Sequence, residues 1–104
     1  MIRNVVLGRL RPATDATQRT ADSAQLDRAL KILAELPFDG MIEMRLGRDL
    51  QLRPGGWSFA ITNDWVDEQA YLRYDADAEH NRVRRELIGP ICEQIARVQF
   101  TVDR

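Results

Sequence analysis

Ile2-Arg3-Asn4-Val5-Val6-Leu7-Gly8-Arg9-Leu10 decides the fold, because its unbroken Val5-Val6-Leu7 block suits a strand covered on both faces. Alternate side chains of a strand point to opposite sides, so Ile2, Asn4, Val6 and Gly8 share one face. Arg3, Val5, Leu7 and Arg9 share the other. The first face sets a polar amide beside an apolar side chain and a missing one. The second presents two large apolar groups that need a cover.

Outward from this strand, Pro12 to Ala21 lacks large apolar residues and reads as a solvated, mobile connection. Ser23 is then the expected N-cap of a helix whose apolar stripe is Leu26, Ala29, Leu30, Leu33 and Leu36, with Asp27, Arg28, Lys31 and Glu35 facing out. Pro37 and Gly40 end it. Met41 to Leu46 alternates as a second strand, and Gly47 and Pro54-Gly55-Gly56 bracket a turn region. Trp57 to Asp64 makes a third strand, with Trp57, Phe59 and Ile61 on one side. Asp67 caps a short helix whose inward stripe is Ala70, Tyr71 and Tyr74, and Asp75-Ala76-Asp77 favours a corner. Val83, Leu87 and Ile88 form a second short stripe that Gly89-Pro90 interrupts. Ala96 to Val102, with Val98, Phe100 and Val102 at alternate positions, is the last strand.

Strand, helix, strand, strand, one or two helices, strand is the split βαβ order of a ferredoxin-like α+β domain. Residues 1–104 are read as one such domain, with a four-stranded antiparallel sheet and helices on one face. Val5 and Leu7 remain on the other face, where a self-complementary two-fold contact between sheets would bury them. A homodimer is therefore expected.

Composition limits the partners. Of 104 residues, 44% are apolar and 30% charged, and 15 basic against 16 acidic groups leave a formal charge of −1. Interleaved signs offer no general surface for nucleic acid. No apolar run nears the ~18 residues of a membrane span, and the start lacks a leader pattern, so no membrane contact and a cytoplasmic location are expected. One cysteine, Cys92, excludes an internal disulfide and a thiolate metal cage within one chain. Asp75, Asp77, Glu79 and His80 match no standard metal spacing, and Gly55-Gly56 lacks the lysine and helix of a phosphate loop. No metal or cofactor is implied.

The candidate chemistry sits elsewhere. His80 is the single histidine and the one group that ordinarily titrates near neutrality. On one continuous helix Tyr74 and His80 would diverge by about 240°, so they converge only if the corner redirects the chain. Trp57 and Trp65 read as core or interface anchors, and Cys92 as a packed thiol. Arg82, Arg84 and Arg85, flanked by Glu79 and Glu86, read as a solvated helix face.

Ile2-Arg3-Asn4-Val5-Val6-Leu7, Gly47-Arg48-Asp49-Leu50, Gly56-Trp57-Ser58-Phe59, and Tyr74 followed six residues later by His80 together resemble the stress-responsive A/B barrel domain (Dabb) family, nearly end to end. The resemblance implies a dimeric α+β barrel of ferredoxin-like halves. The family holds stress proteins, many members of undefined role, and a cyclase that closes linear polyketides by aldol condensation. By position, that cyclase's catalytic tyrosine and histidine correspond to Tyr74 and His80. A neutral imidazole would take the proton beside a ketone while a phenol donates to the enolate oxygen. This chain departs from the family at Asn4, where a histidine is common, at Phe59, at Asp77-Ala78, and at Gln99 on the last strand. Asn4 can orient a carbonyl or the His80 ring but cannot shuttle protons.

Three readings follow. In the first, a homodimer holds a small, largely apolar molecule or aromatic acid between sheet and helices. Asn4, Val6, Gly8, Leu30 and Phe59 line that site, Tyr74 and His80 add polar contacts, and Gly8 enlarges the cavity. In the second, His80 and Tyr74 make the protein a cyclase-like acid–base catalyst. In the third, a purely structural dimer fills the same space with Phe59, Tyr74 and Leu30.

Overall fold

A computed structural model describes residues 1–103, leaving Arg104 aside. Strands β1 (Ile2–Leu10), β2 (Met41–Arg48), β3 (Phe59–Trp65) and β4 (Cys92–Thr101) form one sheet in the order β2-β3-β1-β4. Every neighbouring pair is antiparallel. Helices α1 (Ala16–Glu35), α2 (Glu68–Asp75) and α3 (Ala78–Val83) complete the ferredoxin-like α+β order. A wide π turn at Arg84–Ile88 and a short 3-10 turn at Gly89–Ile91 lead into β4. The central position expected for β1 is the one it takes.

Its two faces divide as the alternation requires. Asn4 and Gly8 are buried, and the register sets Asn4 across from Asn63 and Gln99, and Val6 across from Ile61 and Arg97. Leu26, Ala29, Leu30 and Leu33 of α1 pack with Phe59, Ile61, Val83, Ile88 and Ile91 to form the larger core. A second cluster gathers Trp65, Ala70 and Tyr74, with Ile2, Phe38, Met41 and Tyr71 against it. Val5 and Leu7 on the opposite side stay half-buried, beside Val98 at 53% and Phe100 at 46% exposure.

Four sequence expectations need correction. Helix α1 starts at Ala16, inside the segment read as a solvated connection, and Ser23 lies within it rather than capping it. Asp15 is the cap: its carboxylate accepts from the Gln18 N–H at 2.8 Å, while the Gln18 side chain accepts from the Thr14 N–H at 2.9 Å. Small and polar residues hid this first turn and a half from the hydrophobic pattern. Arg11 and the buried Asp22 then pair at 2.9 and 3.1 Å, tying the helix to the end of β1. Trp57 precedes β3 instead of belonging to it, with the Arg9 guanidinium 4.4 Å above its ring. Strand β4 begins at Cys92, four residues before the expected start, and ends at Thr101. Finally, Gly8 does not open space: an ideal β-carbon there would lie 2.1 Å from Phe59 Cζ, so the Phe59 ring already fills the gap.

Candidate functional site

The corner between the short helices places the two candidate polar rings. Asp67 caps α2 by accepting from the Ala70 N–H at 2.8 Å, and Tyr74 ends the helix's inward side, buried. The chain turns at Ala76, and Asp77 caps α3 by accepting from the His80 N–H at 2.9 Å. His80, 6% exposed, therefore points inward from the first turn of α3, with its ring 4.1 Å from the Tyr74 ring, centroid to centroid, and tilted by 38°. The two rings stack rather than share a proton. Trp65 lies 4.7 Å beyond Tyr74, and Phe38 meets both rings edge-on.

Burial sets the protonation of both. It pushes His80 down to about 4, with the nearby Arg84 charge acting the same way, so the imidazole is neutral at physiological pH. It pushes the Tyr74 phenol up to about 12, against a smaller opposing effect of the Asn63 hydrogen bond. His80 Nδ1 is buried with no hydrogen-bond partner. A buried polar atom without a partner is costly, by about 1–3 kcal/mol, and calls for an explanation.

Behind these rings a chain of amides runs inward from the exposed Gln99 to the buried Asn4 and Asn63. Gln99 Nε2 donates to Asn4 Oδ1 at 2.9 Å, Asn4 Nδ2 donates to Asn63 Oδ1 at 3.1 Å, and Asn63 Nδ2 donates to the Tyr74 hydroxyl at 3.4 Å. Trp65 Nε1 also donates to Asn63 Oδ1, at 2.7 Å. Asn4 and Gln99 thus hold one another and the sheet, and Asn4 does not bond the His80 ring, one of the two roles the sequence had suggested for it. One N–H and one lone pair of Asn4 remain for another partner.

Asn4, Val6, Phe59, Tyr74 and His80 come together around one hollow between sheet and helices. Leu30 and Gly8 do not line it; Leu30 lies in the core and Leu33 takes its place at the hollow. The hollow has a volume of about 30 Å³. A single water needs about 10–15 Å³, so the space takes a head group of two or three atoms. Ile61, Ile88 and Ile95 make most of the remaining wall apolar, and Arg84, Arg97, Tyr71 and Asp75 are also at it.

Sequence reasoning missed Asn63, Arg84 and Arg97. Continuing the parity of Phe59 and Ile61 by two reaches Asn63, and the parity opposite Val98 and Phe100 reaches Arg97; both signals were present. Arg84 was grouped with a solvated face. Arg82 does lie on one, paired with Glu79 and Glu86, whereas Arg84 turns inward, donating to Asn81 Oδ1 at 2.6 Å with Asp75 at 3.5 Å. Cys92 is half-buried, with its thiol pushed up by burial. Among the described residues no group of three or more His, Cys, Asp or Glu side chains is placed to hold a metal ion, and no helix is long and apolar enough to cross a membrane.

These observations define an α+β protein of the ferredoxin-like class with a small, mostly apolar hollow under its helices. A dimeric ferredoxin-like protein of unknown function from Thermobifida fusca superposes with a TM-score of 0.73 at 24% identity, covering 97% of this chain and 90% of its own. A Dabb family protein with a ferredoxin-like fold from Mesorhizobium loti gives 0.72 at 21% identity, covering 99% and 97%. Hydroxynitrile lyase from Passiflora edulis gives 0.66 at 19% identity, covering 98% and 93%. The Dabb-type resemblance read from the sequence is thus supported by shared architecture. No protein-family model matches the chain, and no curated protein does.

Proposed function

We propose that the chain forms a homodimer, each subunit of which holds the polar head of a small, largely apolar molecule in the hollow beneath its helices. The observation that carries this reading is the buried, unpartnered Nδ1 of His80 in a space otherwise lined largely by apolar side chains. A carbonyl or carboxyl oxygen entering there would satisfy it and could also accept from the spare N–H of Asn4. Dimerisation is supported by the apolar sheet face around Val5, Leu7, Val98 and Phe100, bordered by the Arg3–Asp64 and Arg45–Glu43 ion pairs. Fold neighbours described as dimeric support it as well.

Thermal unfolding with benzoate or benzaldehyde tests the binding reading. At a hundredfold excess over Kd either ligand would stabilise the protein by about 2.7 kcal/mol. The expected result is a rise in Tm for wild type that is lost when Ile95→Trp fills the hollow. No rise with either compound at millimolar concentration would remove the reading.

The meeting of Tyr74 and His80 at the wall of one hollow supports a second, catalytic reading, in which His80 accepts a proton beside a carbonyl and Tyr74 donates to the enolate oxygen. The hydroxynitrile lyase among the fold neighbours lends it context. Burial weighs against it, because an imidazole at about 4 is a weak base and a phenol at about 12 a weak acid at neutral pH. Binding without turnover is the better-supported reading.

A further inference from the structure

We propose that the molecule whose head enters the hollow is a carboxylate, with its carboxyl group in the hollow, its charge paired with the exposed Arg97 at the rim, and its apolar body toward the hollow's open side. This rests on the binding reading above and names the ligand class of the same site. Arg97 stands directly across from Val6 on β4 and lines the hollow on the sheet's helix-covered side. Among the described residues it has no ion pair and no hydrogen bond. Arg84 faces the same space from the wide turn, but Asn81 and Asp75 hold it. With Arg84 paired to Asp75, the exposed Arg97 is the one charged group at the wall, among the described residues, that no partner neutralises. A free cation at the edge of an apolar space attracts an anion, and the planar guanidinium fork matches a carboxylate with two parallel hydrogen bonds. Apolar walls select an anion with an apolar body over a bare inorganic one.

Titration of the protein with benzoate, benzamide and inorganic phosphate tests this. Benzoate and benzamide share shape and differ in charge. Wild type is expected to bind benzoate about tenfold or more tightly than benzamide. The margin should narrow as salt is added. Arg97→Met, which keeps most of the stem and removes the charge, is expected to abolish the preference while leaving benzamide within about twofold; Arg97→Lys is expected to retain part of it. Equal binding of benzoate and benzamide by wild type would overturn the carboxylate assignment and leave the binding reading standing. An undiminished preference in Arg97→Met would overturn the role of Arg97. Phosphate binding as tight as benzoate would make this a bare-anion site and overturn the ligand class. Binding of neither aromatic probe would overturn both readings.

Discussion

The Phe59 ring occupies the volume that a side chain at Gly8 would need: an ideal β-carbon at Gly8 falls 2.1 Å from Phe59 Cζ and 2.2 Å from Cε1. The two residues face each other across β1 and β3, and Phe59 is 2% exposed within the larger core. A side chain at Gly8 would therefore have to push the Phe59 ring from its place in the core toward the hollow it lines. Gly8→Ala is expected to destabilise the fold by about 1–3 kcal/mol through overpacking, read from chemical denaturation. Adding Phe59→Leu should recover part of that loss, so the two changes together cost less than their sum.

His80 ties stability to pH. Its folded value of about 4 lies below the ordinary 6.5, so the folded state prefers the neutral ring and the unfolded chain takes up the proton first. Stability from this group is present above about pH 6.5 and declines as pH falls toward 4, by on the order of 3 kcal/mol over the whole window. Arg84 opposes protonation, while Asp75 and Asp77 favour it. Denaturation curves at pH 7 and pH 4.5 are expected to show this loss in wild type and a smaller one in His80→Gln. Asp22 contributes separately and lower: its pairing with Arg11 depresses its value, so its contribution is lost only as pH falls through the acidic range below the ordinary carboxylate value.

Asn63 is the hub of the amide chain, receiving both the Asn4 and Trp65 donors on one oxygen. Asn63→Leu leaves those two donors without an acceptor, at about 1–3 kcal/mol each. The expected outcome is a markedly lower denaturation midpoint. It should come with a shift in Trp fluorescence, because Trp65 loses its hydrogen bond.

Back-to-back sheets would bury Val98 and Phe100, which stand 53% and 46% exposed in one subunit. Val98→Glu places a charge in that contact and is expected to yield folded monomers by light scattering, where wild type yields dimers. A dimer unaffected by Val98→Glu would move the interface elsewhere.

How much of this was legible in the sequence follows from where hydrophobic alternation speaks. It fixed β1, because Val5-Val6-Leu7 admits few other readings, and it fixed the core stripe of α1 from Leu26 to Leu33. It was silent from Ala16 to Ala21, where only the pairing of Asp15 with Gln18 marks a helix start. Asp15→Ala should accordingly cost about 1 kcal/mol in stability.

The site was partly legible. Parity placed Asn4 and Val6 on the inner face, and the acidic corner foretold the meeting of Tyr74 with His80. What composition could not show is volume. The absent side chain at Gly8 reads as empty space along one strand, yet the adjacent strand supplies a phenyl ring that consumes it. Arg84 was grouped with the solvated face of Arg82 and Arg85, which concealed it at the wall of the hollow, and no reading was made of Arg97.

The most direct measurement follows the ring of His80 and the side-chain amide of Asn4 by nitrogen-15 NMR while benzoate is added at pH 7. Occupancy of the hollow predicts saturable shifts of the His80 Nδ1 and Asn4 Nδ2 resonances, with little change at distant side chains such as Gln51. Resonances that stay fixed to the limit of benzoate solubility, or that move no more than those of Gln51, would contradict a ligand site in the hollow.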